Sequence, residues 1–156
     1  MERTLVMIKP DGVERRLIGK ILTRFEERGL TIVGMKLVRL PETLVRRHYA
    51  EHEGKHFYEP LVRFMTAGPT VVLALEGINC VMIVREMMGK TFGSESPPGT
   101  IRGDFGLSNR FNLIHGSDSV KSARKELSLF FKKAELIDRS PCDIKWIYDF
   151  SGGKPI

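Results

Sequence analysis

Asn112-Leu113-Ile114-His115-Gly116-Ser117-Asp118-Ser119 is the stretch that decides how this chain closes. Leu113 and Ile114 read as a brief apolar strand, and Asp118 or Ser119 offers a side-chain oxygen to cap a helix starting at Val120. The stretch therefore supplies a fourth strand and leads into a last long helix. His115 stands between the two, with its ring covered by apolar neighbours on one side and open on the other. Imidazole titrates near neutrality, so much of it is uncharged at cellular pH. Histidine is also among the side chains that form covalent intermediates. A structural histidine bonded to backbone is the plainer alternative, and residues elsewhere in the chain decide between the two.

Working outward, Arg3 to Lys9 is a short apolar run, read as a mostly buried strand followed by a turn at Pro10-Asp11-Gly12. Leu17, Ile18, Ile21, Leu22 and Phe25 recur at helical spacing, and Gly29 suits a C-terminal cap. Thr31 to Leu40 reads as a second strand, apolar on both faces and so expected in the middle of its sheet. Glu42 to His52 predicts a helix with Pro41 near its start. Gly54 breaks it, and Tyr58 to Ala67 forms a second helical piece closed by Gly68-Pro69. Thr70 to Glu76 is a third strand. Val81, Val84, Met87 and Met88 mark a helix ending at Gly89. Phe92 to Gly99 reads as loop, and Thr100 to Arg110 has no clear pattern. Ala123, Leu127, Phe130 and Phe131 give the final amphipathic helix.

The order β-α-β-(α-α)-β-α-β-α matches an α+β, ferredoxin-like (split βαβ) sandwich. A four-stranded antiparallel sheet is covered by helices, with an inserted helical hairpin after the second strand. Lys132 to Ile156, which includes Trp146, reads as an irregular C-terminal tail that packs in part and frays over 149–156. The 156 residues suit one domain. The formal charge of +6 favours anionic partners: nucleotides, nucleic acid or acidic surfaces. Cys80 and Cys142 have no metal or redox spacing and are expected as free thiols in a reducing compartment. The start, Met1-Glu2-Arg3, leads into no secretory hydrophobic segment, and no run is long enough to span a bilayer. A cytoplasmic location is the expectation.

No Walker A loop and no G-x-G-x-x-G occur. A site for nucleotide phosphates would rely on side-chain cations, and Lys9, Arg85 and Arg102, with Thr91, are the candidates. Arginine suits phosphate because its planar fork donates two hydrogen bonds at once. Taken singly, each is an ordinary surface charge. Glu126 lies at the edge of the apolar stripe of the last helix, placed to point inward toward the strand and not fully out to solvent.

The chain resembles a nucleoside diphosphate kinase. Pro98 to Phe105 (Pro-Gly-Thr-Ile-Arg-Gly-Asp-Phe) and Asn112 to Ser119 are signature stretches of that family. Thr4 to Gly12 matches its first strand and turn. His48-Tyr49-Ala50-Glu51-His52, Phe57, Gly68-Pro69 and Trp146-Ile147-Tyr148 also match. The resemblance implies ping-pong transfer of the γ-phosphate from a nucleoside triphosphate, typically ATP, to a nucleoside diphosphate through a phosphohistidine at His115. It implies that Lys9 and Asn112 bind the ribose 3′-hydroxyl, with Lys9 and Tyr49 near the transferring phosphate. It assigns His52, Arg85, Thr91 and Arg102 to the phosphates and Phe57 to the base, and Leu61 to the nucleotide-binding set. Stacking reads a π-face, so any base is accepted. Glu126, supported by Ser117, fixes the tautomer of His115. Mg²⁺ is expected on the nucleotide phosphates, with no metal held by the protein itself. A homo-oligomer is implied, a hexamer with a tetramer as the alternative.

Three positions sit awkwardly in that resemblance. Asn112 and His115 would face opposite sides of a regular strand, so both can line one pocket only if the backbone is irregular there. Asn109 stands where an apolar residue usually closes over the base, beside Arg110-Phe111 in place of Gly-Arg. Phe92-Gly93 replaces a loop proline that touches neighbouring subunits. Outside the family reading, His48, His52 and His56 recur every four residues, but Gly54 argues against one continuous metal-binding face. Met82, Met87 and Met88 read as gap-filling core. An RNA-binding sheet is the rival function. It lacks the aromatic series that stacks bases, which leaves weak, salt-sensitive nucleic-acid affinity as a secondary expectation. A catalytically dead module of the same fold is disfavoured because every polar position carries a competent residue.

Overall fold

Leu5, Val6, Met7 and Ile8 are buried on both faces of a single strand, and the rest of the molecule is layered around it. In the computed structural model, which describes residues 1–156, this strand (β1, Glu2–Ile8) lies between β3 (Pro69–Gly77) and the short β4 (Ile114–Gly116). β2 (Thr31–Arg39) pairs with the far side of β3, so the sheet runs β2-β3-β1-β4 with every pair antiparallel. This is the ferredoxin-like sandwich expected from the element order.

Side chains alternate across a strand, so β1 and β3 feed two cores. Val6, Ile8, Leu73 and Leu75 meet Ile21 and Phe25 of α2 (Ile18–Glu27) and Val84 and Met88 of α5 (Cys80–Met88). Leu5, Met7, Val72 and Ala74 meet Val45 of α3 (Glu42–His48), Val62 and Met65 of α4 (Tyr58–Thr66) and Leu127 of α7 (Val120–Phe130). The α3–α4 hairpin is the insertion between β2 and β3. α2 ends where Gly29, at φ +85°, takes the left-handed position that follows a helix. α7 starts where the Ser119 hydroxyl accepts from the Ser122 N–H at 3.1 Å.

Several expectations change. β2 is an edge strand, not a central one: no strand pairs with it beyond β3, and Met35 and Leu37 are 57% and 62% exposed. Apolar residues on both its faces marked the inner face toward Phe131 and Leu136 and an outer face left open, not flanking strands. The Pro10 turn is instead a short helix, α1 (Pro10–Glu14), with proline at the position whose N–H needs no partner. The helix expected to reach His52 stops at His48, and Ala50–His52 forms a separate 3₁₀ turn. The unpatterned stretch after Thr100 contains α6 (Ile101–Phe105). Met82 is exposed and only Met87 and Met88 meet the core.

Beyond α7 the chain crosses the β2 edge, where the Ile137 N–H donates to the Val33 carbonyl at 2.8 Å. α8 (Ile144–Ile147) then sets Ile147 against Gly29 and leaves Trp146 exposed. Both cysteines are free, Cys80 buried and Cys142 exposed. No helix is long and apolar enough to cross a membrane.

Gly103 within α6 offers a check on this packing. Alanine favours helices over glycine, yet a Cβ at Gly103 would sit 1.9 Å from the Pro97 carbonyl oxygen. Gly103→Ala should therefore destabilise the fold by about 1–3 kcal/mol. Chemical denaturation at fixed protein concentration measures this, and a stabilised variant would contradict the packing described.

Candidate active site

The backbone at Leu113 answers how Asn112 and His115 share a pocket. Leu113 has φ +68°, and the Ile114 N–H donates to the Asn112 carbonyl at 2.7 Å. A two-residue closure around a positive φ is a γ-turn, a rare and strained form. It reverses the alternation just before β4, and both side chains reach one cleft. A leucine in this region costs about 1–3 kcal/mol and persists only where its surroundings over-determine it. Here the Lys9 N–H donates to the Leu113 carbonyl at 2.8 Å, and the Leu113 N–H donates to the Asp11 carboxylate at 3.0 Å. Leu113 itself is fully buried.

Arg102 completes the frame. Its guanidinium donates to the carbonyls of Asn112 (3.1 Å), Ile114 (2.6 Å), Lys90 (2.8 Å) and Gly89 (3.3 Å). Four of its five N–H donors are thus taken by backbone. The residue expected purely as a phosphate ligand spends most of its donors tying the end of α5 to both ends of the turn. Burial, with Arg85 nearby, lowers its pKa to about 10.

Lys9 is buried beside it, and its ammonium donates to Asn112 Oδ1 at 2.7 Å. Asn112 Nδ2 in turn donates to the Thr91 carbonyl at 2.9 Å. Burial first, then the charge of Arg102, pulls the Lys9 pKa down to about 8, with Asp11 opposing. Asp11 moves the other way: burial raises its pKa against the hydrogen bond from Leu113 and the charge of Lys9.

His115 lies at the junction of the cleft and α7. Its Nε2 stands 3.2 Å from Glu126 Oε2, and the Ser117 hydroxyl donates to the same oxygen at 2.5 Å. Burial would raise the Glu126 pKa, but the hydrogen bonds from His115 and Ser117 and the neighbouring imidazoles bring it below its ordinary value. An ionised Glu126 accepts from Nε2–H, which leaves Nδ1 with the free lone pair. Tyr49 meets the ring edge-on at 6.3 Å, and its buried hydroxyl has no partner.

Ten of the twelve residues singled out from the sequence line one cleft of about 780 Å³: Lys9, Tyr49, His52, Phe57, Leu61, Arg85, Thr91, Arg102, Asn112 and His115. Ser117 and Glu126 sit behind His115. One end of the cleft is cationic. The other is apolar, with Phe57, Leu61 and Phe64, and Asn109 and Arg110 at its rim. No Asp or Glu is among the lining residues. The donor set suits an anion, or a metal already carried on an anion, and not a resident Mg²⁺.

Two residues escaped the sequence reading. Asp11 acts on a partner 102 positions away, which no local pattern reveals. His48 was weighed only as a spaced histidine; it is buried against the His115 ring, centroids 4.8 Å apart, and burial drives its pKa down to about 3. Its place next to Val45 and Tyr49 on the inner side of α3 was the available signal. His48, His52 and His56 do not gather on one face: His52 and His56 belong to the cleft and His48 lies behind His115.

The nucleoside diphosphate kinase family model matches residues 2–136. A nucleoside diphosphate kinase of Roseiflexus sp. is 53% identical over 149 residues, covering 96% of this chain and all of the relative. That of Methanocaldococcus jannaschii is 51% identical over 138 residues, 88% of this chain and 99% of the relative. Among solved structures, the halophilic nucleoside diphosphate kinase of Halobacterium salinarum in complex with CDP superposes with a TM-score of 0.94. It is 47% identical, over 95% of this chain and 99% of that one.

The clamp on Leu113 is open to test. Asp11→Ala leaves a buried N–H without an acceptor and should cost about 1–3 kcal/mol. Asp11→Asn keeps an acceptor oxygen and should recover most of the loss. Denaturation together with amide exchange at Leu113 measures both; equal behaviour of the two variants would remove Asp11 from the frame.

Proposed function

The chain belongs to the nucleoside diphosphate kinase family, and from that membership and the cleft geometry we propose how its residues divide the work. The activity is phosphoryl transfer between nucleoside tri- and diphosphates. In our reading, the Nδ1 lone pair of His115 attacks the γ-phosphorus of a bound triphosphate. The N–P bond forms as the bond to the bridging oxygen breaks, and the nucleoside diphosphate leaves with that electron pair. A second diphosphate then enters the same cleft, and its terminal oxygen takes the phosphoryl group back from nitrogen. The hydrogen bond from Nε2 to Glu126 carries this reading. It selects the nucleophilic nitrogen and offsets the positive charge that grows on the ring.

Because the transition state is loose, positioning and charge neutralisation do most of the work. Lys9 and Arg85, with the one uncommitted donor of Arg102, lie where the phosphates would be held. His52, Thr91 and the unpartnered Tyr49 hydroxyl stand at the same end. We assign Lys9 and Asn112 to the ribose 3′-hydroxyl, and Phe57, with Leu61, to the face of the base. Phosphotransfer in the family depends on Mg²⁺. With no carboxylate in the cleft wall, we infer that the ion enters on the nucleotide phosphates, where it supplies charge neutralisation. We further propose a homo-oligomer, hexameric with a tetramer as the alternative. The open β2 edge with Met35 and Leu37, and exposed Trp146, support it. A cytoplasmic site of action and a weak nucleic-acid affinity, the latter supported by the +6 charge, belong to the same proposal.

Incubation with a nucleoside triphosphate radiolabelled in its γ-phosphate should leave label on the protein, lost in acid and stable in base. His115→Ala should abolish the label and lower turnover by more than about a thousandfold while the fold persists. Retained labelling would assign the nucleophile elsewhere.

A pH profile supplies a second check. The Lys9 pKa, lowered to about 8, means its ammonium is lost as pH rises through that value. The rate constant kcat/KM should decline on that alkaline limb, and saturating nucleotide should move the limb upward, because bound phosphate favours the charged form. A profile flat through pH 9, about one unit above that value, would show that the charge is not used.

A further inference from the structure

Beside His115, where a second cavity adjoins the nucleotide cleft, three donor groups converge. The ligand atoms of His48, His115 and Glu126 all lie within 4.8 Å of one another. Glu126 is shared between the rings: Oε2 is 3.2 Å from His115 Nε2, and Oε1 is 4.0 Å from His48 Nδ1. Ser117 already orients the carboxylate from outside the group. A second cavity of about 270 Å³, bounded by these three residues and by Ser122, Lys125 and Asp118, opens the cluster to solvent.

We propose that His48, His115 and Glu126 form an inhibitory site for a divalent cation of the zinc class, and that filling it and phosphorylating His115 oppose one another. Two imidazoles and one carboxylate are a zinc donor set, with the fourth position left for water from the cavity. Around a tetrahedral ion with ligand bonds of about 2.0–2.1 Å the donors stand about 3.3–3.4 Å apart, so the cluster, now within 4.8 Å, must contract by up to about 1.5 Å. A single carboxylate, with Lys125 on the same cavity wall, is a poor site for Mg²⁺ or Ca²⁺, which ask for oxygen ligands. His48 Nε2 has no hydrogen-bond partner, so the support usual behind a metal-bound imidazole is missing on that ligand. That suits a reversible inhibitor better than a permanent structural ion.

The antagonism follows from the imidazole. A metal on Nε2 of a neutral ring displaces the proton to Nδ1, and the atom facing the nucleotide changes from lone pair to N–H donor. Conversely, attack by the Nε2–H ring leaves a phosphoimidazolium whose Nε2 proton is held by Glu126, so a metal must displace both that proton and its carboxylate contact. This second half rests on the assignment of His115 as the phosphate carrier; the metal site itself does not.

The test titrates Zn²⁺ alone, against a chromophoric chelator, into full-length protein freed of nucleotide and metal. One ion per chain is expected, retained in Cys142→Ser and weakened at least about tenfold in His48→Phe, which keeps a buried ring without nitrogens. Protein first phosphorylated with nucleoside triphosphate and then freed of nucleotide should bind the ion at least about tenfold more weakly. Zinc-loaded protein should take up no label until chelator is added. The phosphorylated arm uses the unaltered chain and so decides even if His48→Phe misfolds. Binding unchanged in both arms, no binding at all, or normal labelling of zinc-loaded protein would overturn the proposal. Failure of the metal-free protein to label at all would instead count against His115 as phosphate carrier, and His48→Phe would still decide the metal site.

Discussion

The active cleft depends on one backbone reversal. In a regular strand Asn112 and His115 would be on opposite faces; the γ-turn at Leu113 puts them on the same one. Nothing about leucine favours that conformation. It is held by Lys9 and Asp11 from the end of β1 and the start of α1, and by Arg102 from α6, which reaches the carbonyls on both sides of it. Gly12 belongs to the same constraint, since a Cβ there would lie 3.2 Å from the Leu113 carbonyl oxygen and 2.7 Å from Ile8. Three distant segments thus converge on one strained peptide, and the residues that hold it are themselves, or adjoin, residues of the cleft. Frame and chemistry are built from the same side chains.

Charge is distributed to match. Lys9, Arg85 and Arg102 face the cleft with no carboxylate among its lining residues, while Glu126 meets the imidazole from outside that lining. Asp11, the nearest acid to Lys9, turns its oxygen to a backbone N–H. The apolar end beside Phe57 and Leu61 carries few polar groups, which is consistent with contact to a ring face and not to a particular base edge.

Much of this was legible from residue pattern. The spacing from Leu17 to Phe25 with Gly29 after it, and the run from Thr70 to Glu76, report local preferences that the fold keeps. The irregularity between Asn112 and His115 was also foreseeable, because two functional side chains three residues apart conflict with strand alternation. Other features were not legible, for physical reasons. An edge strand and a central strand can have the same composition, so β2 was misplaced; its missing neighbour is a fact about the whole sheet. The helix end at His48 follows from how Tyr49 is buried, not from helix propensity. Asp11 and Arg102 hold the turn through contacts across 102 and 10 positions respectively, as their pairings with Leu113 and Asn112 show. Sequence shows what a side chain can bond, whereas only the fold shows which backbone group needs it.

The lowered pKa values of Lys9 and Arg102 carry a thermodynamic corollary. Two like charges kept from water at short range weaken the folded state until an anion joins them. A bound anion therefore makes the occupied cleft more stable than the empty one. Each arriving polyphosphate relieves that internal repulsion, and each departing one restores it. Resilience to heat then follows occupancy: a well-supplied molecule outlasts a starved one, and substrate serves as a stabilising ligand for its own catalyst.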